Sequence, residues 1–442
     1  MLRKIIFYII LYVFSSYTAY GNELKIISKE QFIAENYSSE RQELVDFMIN
    51  QFDDKRKDGI TQSQLDVLWN DQELKQAMRL TRFQIVNQKL YADSFDINDY
   101  YYKPLLKYFQ ELIQLHKVKD VDFIIYARDE IPIGNNLEKK TLGIPAFMMS
   151  KNTDSIYEKD KLLLPDAFMI EKGKWNVLLD KIEEASASIP WYNKENKLFW
   201  RGGAHGSESK YLYNITNFDK LARLKLVMYS KLYPDYINAA FVNYAEFSND
   251  VEGENLKTVL DLLFGKNPQL KHTKEIDHLK YKYLITVDGN TCPWLRVPWI
   301  MLSNSVLVKQ ETSNIEWFYP ALKPYVHYVP VNKQLTNMFE KINWMQNHDA
   351  EVKNISINAQ NFVKNNLMPE HIDIHMALIL NEYHSIQKDA QINITLPTAE
   401  ENFNKIKLLE DKSLDKKNPS KYKSFKNKIK KLYKKLKFTI GV

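Results

Sequence analysis

"YKYLITVDGNTCPWLR", residues 281–296, decides how the rest of the chain is read. The run Tyr283-Leu284-Ile285-Thr286-Val287 has the length and β-branched content of a buried strand. It stops at Asp288-Gly289-Asn290, a turn carrying a carboxylate, and Arg296 follows six residues later. In an open parallel sheet, ligands sit outside the carboxyl ends of strands, where such loops converge. The competing reading is that Asp-Gly is an ordinary turn and nothing more.

The same pattern recurs along the chain. "VDFIIYA" (121–127) empties into "RDEIPIGNN", and "NKLFW" (196–200) gives way to Arg201-Gly202-Gly203. "SVLVK" (305–309) and "YVHYVPV" (325–331) are further short strands separated by helical or turn segments. That alternation predicts an α/β architecture with mainly parallel sheets. Residues 28–120 read as helices, with a serine cap at Ser38 or Ser39 and a second start at Thr61. "QLTNMFEKINWMQN" and "HIDIHMALILNEYHSI" supply closing helices, and the polar, Pro-containing residues 386–420 read as a linker or surface wrap.

Composition bounds the chemistry. At 442 residues the chain is too long for one core, so two domains are the natural prior. The single cysteine, Cys292, excludes an intramolecular disulfide and a cysteine-based zinc site. The nine histidines show no HExxH, and His371 and His375 in "HIDIH" fit a structural helix better than a metal site. No metal is expected. The 57 aromatic residues (27 Tyr, 22 Phe, 8 Trp) suit a sugar or base cleft, although aromatic cores are commoner.

Both termini carry signals. Residues 1–21 have a basic start (Arg3, Lys4), an apolar run from Ile5 to Phe14 and small residues before Gly21, the layout of a cleaved export signal; an uncleaved anchor is the alternative. Four Asn-x-Ser/Thr sequons (Asn36, Asn214, Asn354, Asn393) fit a secretory route, while the lone cysteine argues against a long life in an oxidising lumen. The net charge of +6 belongs to the tail: residues 421–437 hold nine lysines and no acid, leaving 6 − 9 = −3 for the remainder. Phe425, Ile429, Leu432 and Leu436 share one helical face there, so residues 421–438 are expected to lie on an anionic membrane. The bland alternative is a solvated terminus, and a nucleic-acid contact is not expected.

Three strand exits therefore compete for one cleft: Arg128-Asp129-Glu130, Arg201-Gly202-Gly203 and Asp288-Gly289-Asn290. Each alone is a turn; together they point to a shared site. Arg201, Arg223 and Arg296 suit a diphosphate because a guanidinium makes paired charge-assisted bonds to phosphate oxygens. Gly202 and Gly203 let backbone N–H groups come close to a phosphate or sugar. Neither GxxxxGK[ST] nor GxGxxG occurs, which excludes a P-loop or dinucleotide fingerprint.

The chain resembles glycosyltransferase family 90, which includes fungal capsule-associated xylosyltransferases, animal protein O-glucosyltransferases and bacterial lipopolysaccharide-modifying homologues. The matching pieces are "DFIIYARDEIP" (122–132), "LFWRGG" (198–203), "ARLKLVMYSKLYP" (222–234), "YKYLITVDGN" (281–290), "SNSVLVKQ" (303–310) and "EWFYPALKPYVHYVPV" (316–331). The resemblance implies a GT-B fold: two Rossmann-like domains facing across a cleft, here with a helical N-terminal elaboration. The expected division is an acceptor-side domain over 22–195, a nucleotide-sugar domain over 196–385, and a linker with basic tail over 386–442. It implies inverting, metal-independent transfer of glucose or xylose from a UDP-sugar to a hydroxyl of a glycan, lipopolysaccharide or protein, with no cofactor. Asp129 falls on the family's base, with Glu130 its neighbour. Arg201, Arg223 and Arg296 would form the positive cradle over Asp288, Gly289 and Asn290. Glu316 would take the ribose hydroxyls, and Ser303, Ser305 and Lys309 would surround the nucleotide. His205 is weighed evenly as a sugar or phosphate contact, whereas His327 reads as structural. The departure is "TCPWLR" before Arg296, where many relatives have a small residue, often serine. The different class is a non-catalytic saccharide- or membrane-surface-binding protein that retains the fold. Export or a secretory lumen is the expected location, or the cytosolic face of a membrane if residues 1–21 are not a signal.

Overall fold

The computed structural model describes residues 24, 26–35, 38–131, 136–204, 221–243, 273–389 and 391–417. Residues 1–21, expected as an export signal, the sequon asparagines Asn36 and Asn214, His205 and the basic tail 421–438 lie outside them.

The first sheet has the order β2-β1-β3-β4-β6. It comprises β1 (Leu80–Val86), β2 (Lys89–Ser94), β3 (Val121–Tyr126), β4 (Phe147–Met148) and β6 (Leu162–Leu163). β1 pairs antiparallel with β2 and β3, whereas β3, β4 and β6 run parallel. This half is therefore a mixed sheet, not the parallel one expected of a Rossmann-like unit. The β1–β2 hairpin also replaces helix in the 28–120 block. Its two-residue turn places Asn87 and Gln88 at φ 51° and 57°, as a primed turn requires.

Period-two alternation gives this sheet two different faces. Phe83 and Phe123 meet Phe109 of the helix Tyr102–Leu115 at ring separations of 4.7 and 5.3 Å, and Phe147 meets Tyr383 of the helix Pro369–Ile386 at 5.0 Å. On the other face, buried Arg82 grips buried Asp122 through two 2.8 Å bonds, and Gln84 adds a third at 2.8 Å. That polar layer is roofed by the chain's late segment: Gln387 bonds the backbone of Asp122 in both directions, and Thr395 N–H donates to Gln84. The helix Ala399–Lys417 then packs on β2, so the region read as a linker is partly helical.

The second sheet has the order β12-β10-β9-β7-β8 and is wholly parallel. It comprises β7 (Glu195–Gly203), β8 (Ile237–Asn243), β9 (Tyr281–Thr286), β10 (Val306–Gln310) and β12 (Val329–Val331). Only the end of "YVHYVPV" is strand. Tyr325 sits at φ 59° in a tight turn, and His327 Nδ1 accepts the Lys323 N–H at 3.0 Å, a structural role. Tyr283, Ile285 and Val287 face one core with the helices Ala222–Leu232 and Met338–Asn347. Leu284 and Leu307 face the opposite core, which is continuous with Phe83 and Phe123 of the first sheet. An antiparallel ribbon of β5 (Ser150–Asn152) and β11 (Asn314–Glu316) adds a backbone seam between the halves.

Candidate active site

Numbered by their own order in the chain, the strands of the parallel sheet run 2-1-3-4-5. That order reverses direction between β7 and β9, and the crevice outside their carboxyl ends is where such sheets take ligands. β7 exits there at Gly202-Gly203 and β9 at Asp288-Gly289-Asn290. Arg223, on the helix Ala222–Leu232, ties the two exits together. Its Nε donates to Asp288 O at 2.8 Å, Nη1 to Gly203 O at 3.0 Å and Nη2 to Val287 O at 3.1 Å. Gly289 makes room for it, since a Cβ there would lie 2.7 Å from Nη2.

Arg296 opens the helix Arg296–Leu302 and donates from Nη1 to Arg201 O at 2.6 Å. No described carboxylate forms an ion pair with it, and burial lowers its pKa to about 10. A buried guanidinium with no ion-pair partner among the described residues, only the more distant attraction of Glu275, favours an anionic ligand. Gly202, Gly203, Arg223, Gly289, Asn290 and Arg296 thus wall one side of a chamber of about 190 Å³.

The other half of the molecule closes it. Asp129, just past the end of β3, lines the same chamber, and Asn290 Nδ2 donates to its Oδ2 at 3.3 Å. Ser150 Oγ lies 3.4 Å from Asp129 O and 2.9 Å from Thr291 Oγ1, fixing both loops at the seam. A second chamber of about 190 Å³ opens beyond, walled by Arg79, Tyr101, Arg128, Asp129, Glu130 and Asn290. Asp129 and Asn290 belong to both walls. A carboxylate at such a junction can take a proton from a group in one chamber as that group attacks a centre in the other.

Several residues expected at the cleft point elsewhere. Arg201 alternates with Trp200 and Gly202, so its guanidinium crosses to β8, bonding Asn238 O at 3.0 Å and Asn238 Oδ1 at 2.8 Å. Its carbonyl is what reaches the site, through Arg296. The Asp288 carboxylate accepts from Thr312 Oγ1 at 2.6 Å and Asn314 Nδ2 at 2.9 Å, bracing the loop toward β11; burial raises its pKa. Ser303 and Ser305 precede β10, at the sheet end opposite the cleft, and donate to Ile300 O and Tyr281 O at 2.7 and 2.8 Å. Lys309 is turned onto the Tyr319 ring at 4.7 Å. Glu316 is fully buried in β11: Oε1 accepts from Tyr319 OH at 3.2 Å, Oε2 has no partner among the described residues, and burial lifts its pKa well above the carboxylate range. It is not among the residues that wall either chamber. His205 lies outside the described residues.

Sequence reasoning missed Arg79, Tyr101 and Trp294. Arg79 and Trp294 hold left-handed backbone, φ 51° and 49°, which no local sequence signal announced. Among the described residues, no group of three or more His, Cys, Asp and Glu side chains is placed to hold a metal, and no helix is long and apolar enough to cross a membrane.

Comparison with known proteins places this site in a family. Residues 55–424 match the model of Glycosyl transferase family 90. Protein O-glucosyltransferase 2 of Danio rerio is 32% identical over 208 residues, which is 47% of this chain and 35% of that protein. Protein O-glucosyltransferase 3 of Mus musculus is 33% identical over 212 residues, 48% of this chain and 36% of that protein. The matched stretch thus spans about a third of the length of these two relatives. Protein O-glucosyltransferase 1 of Homo sapiens is 24% identical over 314 residues, 69% of this chain and 71% of that protein. The crystal structure of a glycosyltransferase from Rickettsia africae ESF-5 aligns at a TM-score of 0.32 and 14% identity, over 57% of this chain and 68% of that one. With a family match that runs through both sheets and both walls of the cleft, the chain belongs to glycosyl transferase family 90.

Proposed function

We propose that the protein transfers a sugar, glucose or xylose, from a UDP-sugar to an acceptor hydroxyl, with inversion and without a metal, in a GT-B arrangement of its two sheets. The observation that carries this reading is the meeting of Asp129 from one half with the Arg223 and Arg296 wall from the other. The relatives' names, protein O-glucosyltransferases, favour glucose.

In this mechanism the diphosphate lies against Arg296 and the N–H groups of the two strand exits, with Arg223 holding those exits in register. Asp129 accepts the proton of the acceptor hydroxyl. The oxygen then forms its bond to the anomeric carbon from the face opposite UDP. The bond from that carbon to the diphosphate breaks, and its electron pair leaves on the terminal phosphate oxygen. Arg296 stabilises the charge that develops there, the part a divalent cation plays elsewhere. Asn290 occupies one carboxylate oxygen of Asp129 and leaves the other for the acceptor.

The acceptor is a hydroxyl of a glycan, lipopolysaccharide or protein. Export by residues 1–21 and a membrane contact through 421–438 complete the proposal, supported by sequence alone. Titration with UDP tests the donor reading. Arg296→Gln should weaken UDP by roughly 10- to 100-fold, the range of one charge-assisted hydrogen bond. A wild-type protein that ignores UDP would return the chain to the non-catalytic class.

A further inference from the structure

Two arginines, Arg79 and Arg128, line the second chamber. Arg128 donates from Nη1 to Ala77 O at 3.0 Å, and no described carboxylate forms an ion pair with it. After burial, the charge of Arg79 is the largest influence depressing its pKa, ahead of the opposing effects of Glu130 and Asp129. Arg79 is held at φ 51°, a conformation that costs a non-glycine residue on the order of 1 kcal/mol. Its only described ion pair is a long one, 3.8 Å to the buried Asp99, and its side chain stays 45% exposed. The fold therefore keeps two like charges together at the edge of a polar chamber.

Asp129 and Glu130 offset that repulsion in part, and hydroxyl groups alone would leave the remainder in place. An oxyanion bridging the two forks would relieve it and supply paired acceptors to each. The carboxylates of Asp129 and Glu130 stand on the same wall and repel an anion, which orients the ligand: its charge lies toward the arginines and its hydroxyl toward Asp129.

We propose that this chamber binds the acceptor through an anionic group, phosphate or carboxylate, carried close to the nucleophilic hydroxyl and held by Arg128 and Arg79. The inference rests on the reading of Asp129 as the base and adds the acceptor's chemical class to it.

The test uses full-length protein saturated with UDP, so that the donor chamber is closed to other anions. Glucose 6-phosphate, methyl glucuronide and methyl glucoside are titrated by calorimetry at low and high salt. At low salt at least one anionic sugar should bind about tenfold or more tightly than methyl glucoside, and salt should erode the difference. The phosphate and carboxylate arms separate the two sources of charge. Arg128→Gln and Arg79→Gln should each abolish the preference, and Arg128→Lys should retain part of it, with thermal melts confirming that each variant is folded. Equal affinity for all three sugars overturns the proposal, as does a preference that survives both glutamine variants. UDP titration of the unliganded protein judges the donor reading separately: failure there, with the anion preference intact at Arg128, removes the transferase mechanism and not this site.

Discussion

Replacing Gly289 by alanine probes the clamp that joins the two strand exits. The new Cβ would lie 2.7 Å from Arg223 Nη2, whereas ordinary contact begins at 3.4 Å, so Nη2 must recede about 0.7 Å (3.4 − 2.7). A retreat in line with its 3.1 Å bond to Val287 O lengthens that bond to at most about 3.8 Å (3.1 + 0.7), beyond hydrogen-bonding range. The far end of an arginine usually yields freely, but here Nε and Nη1 are anchored on Asp288 O and Gly203 O, and the planar group tilts as a unit. Losing one charge-assisted bond costs about 1.5–3 kcal/mol. Gly289 is not at positive φ, so alanine adds no backbone strain of its own. Urea unfolding should register that loss, and UDP affinity should fall about tenfold or more as the exits shift. The double variant sharpens the test. Lysine at position 223 has no Nη2, so Gly289→Ala in an Arg223→Lys background should cost less than about 0.5 kcal/mol beyond Arg223→Lys alone. Additive losses, or an alanine variant with unchanged stability and UDP affinity, would refute the steric argument.

Other consequences are open to direct measurement. Asp129→Asn should bind UDP as the wild type does while transfer falls about 10²- to 10⁴-fold, in line with loss of a general base; undiminished turnover removes Asp129 from that role. Asp122→Ala removes two of the carboxylate bonds of buried Arg82 and leaves it only the partly exposed Asp66, so it should cost up to about 3–5 kcal/mol in chemical denaturation, whereas the pair Arg82→Met with Asp122→Leu should cost far less. Burial pushes the Asp166 carboxyl up to about 6 and Glu316 higher still, so the folded chain holds protons that the unfolded chain releases. Stability from this pair is therefore fully present below about pH 4 and declines as pH rises through 6, by on the order of 1–3 kcal/mol. Asp166→Asn keeps an oxygen for the N–H groups of Phe168 and Met169 and should flatten that pH profile; an unchanged slope would show that Asp166 is not its source.

The parts of the site that were legible in the sequence are those governed by backbone position. Asp129 and Asn290 each end an apolar run, and strand exits gather at one edge of a sheet, so their meeting follows from topology. Side-chain direction is a finer matter. Arg201 lies one residue from Gly202, yet the alternation of a strand sends its guanidinium to Asn238 instead of the cleft. Ser303 and Ser305 enter β10, while only residues leaving that strand approach the crevice. The position of Glu316 has no local signature: β11 pairs with β5, a long-range pairing that draws it under the seam. The β1–β2 hairpin was lost inside a helical block because its turn is Asn-Gln, not the Asn-Gly that usually marks one.

The late strap over the first sheet has a consequence for how the chain is made. Ile60 exchanges backbone bonds with Ile386 and Lys388, and Ala92 donates to Pro397, so segments from opposite ends of the sequence complete one layer. During vectorial synthesis the buried Arg82–Asp122 layer must wait, uncovered, until residues 386–397 have emerged. A truncation before residue 386 would leave that layer open to water and the early strands without their lid. The amino-terminal sheet is in this sense finished by residues 386–397.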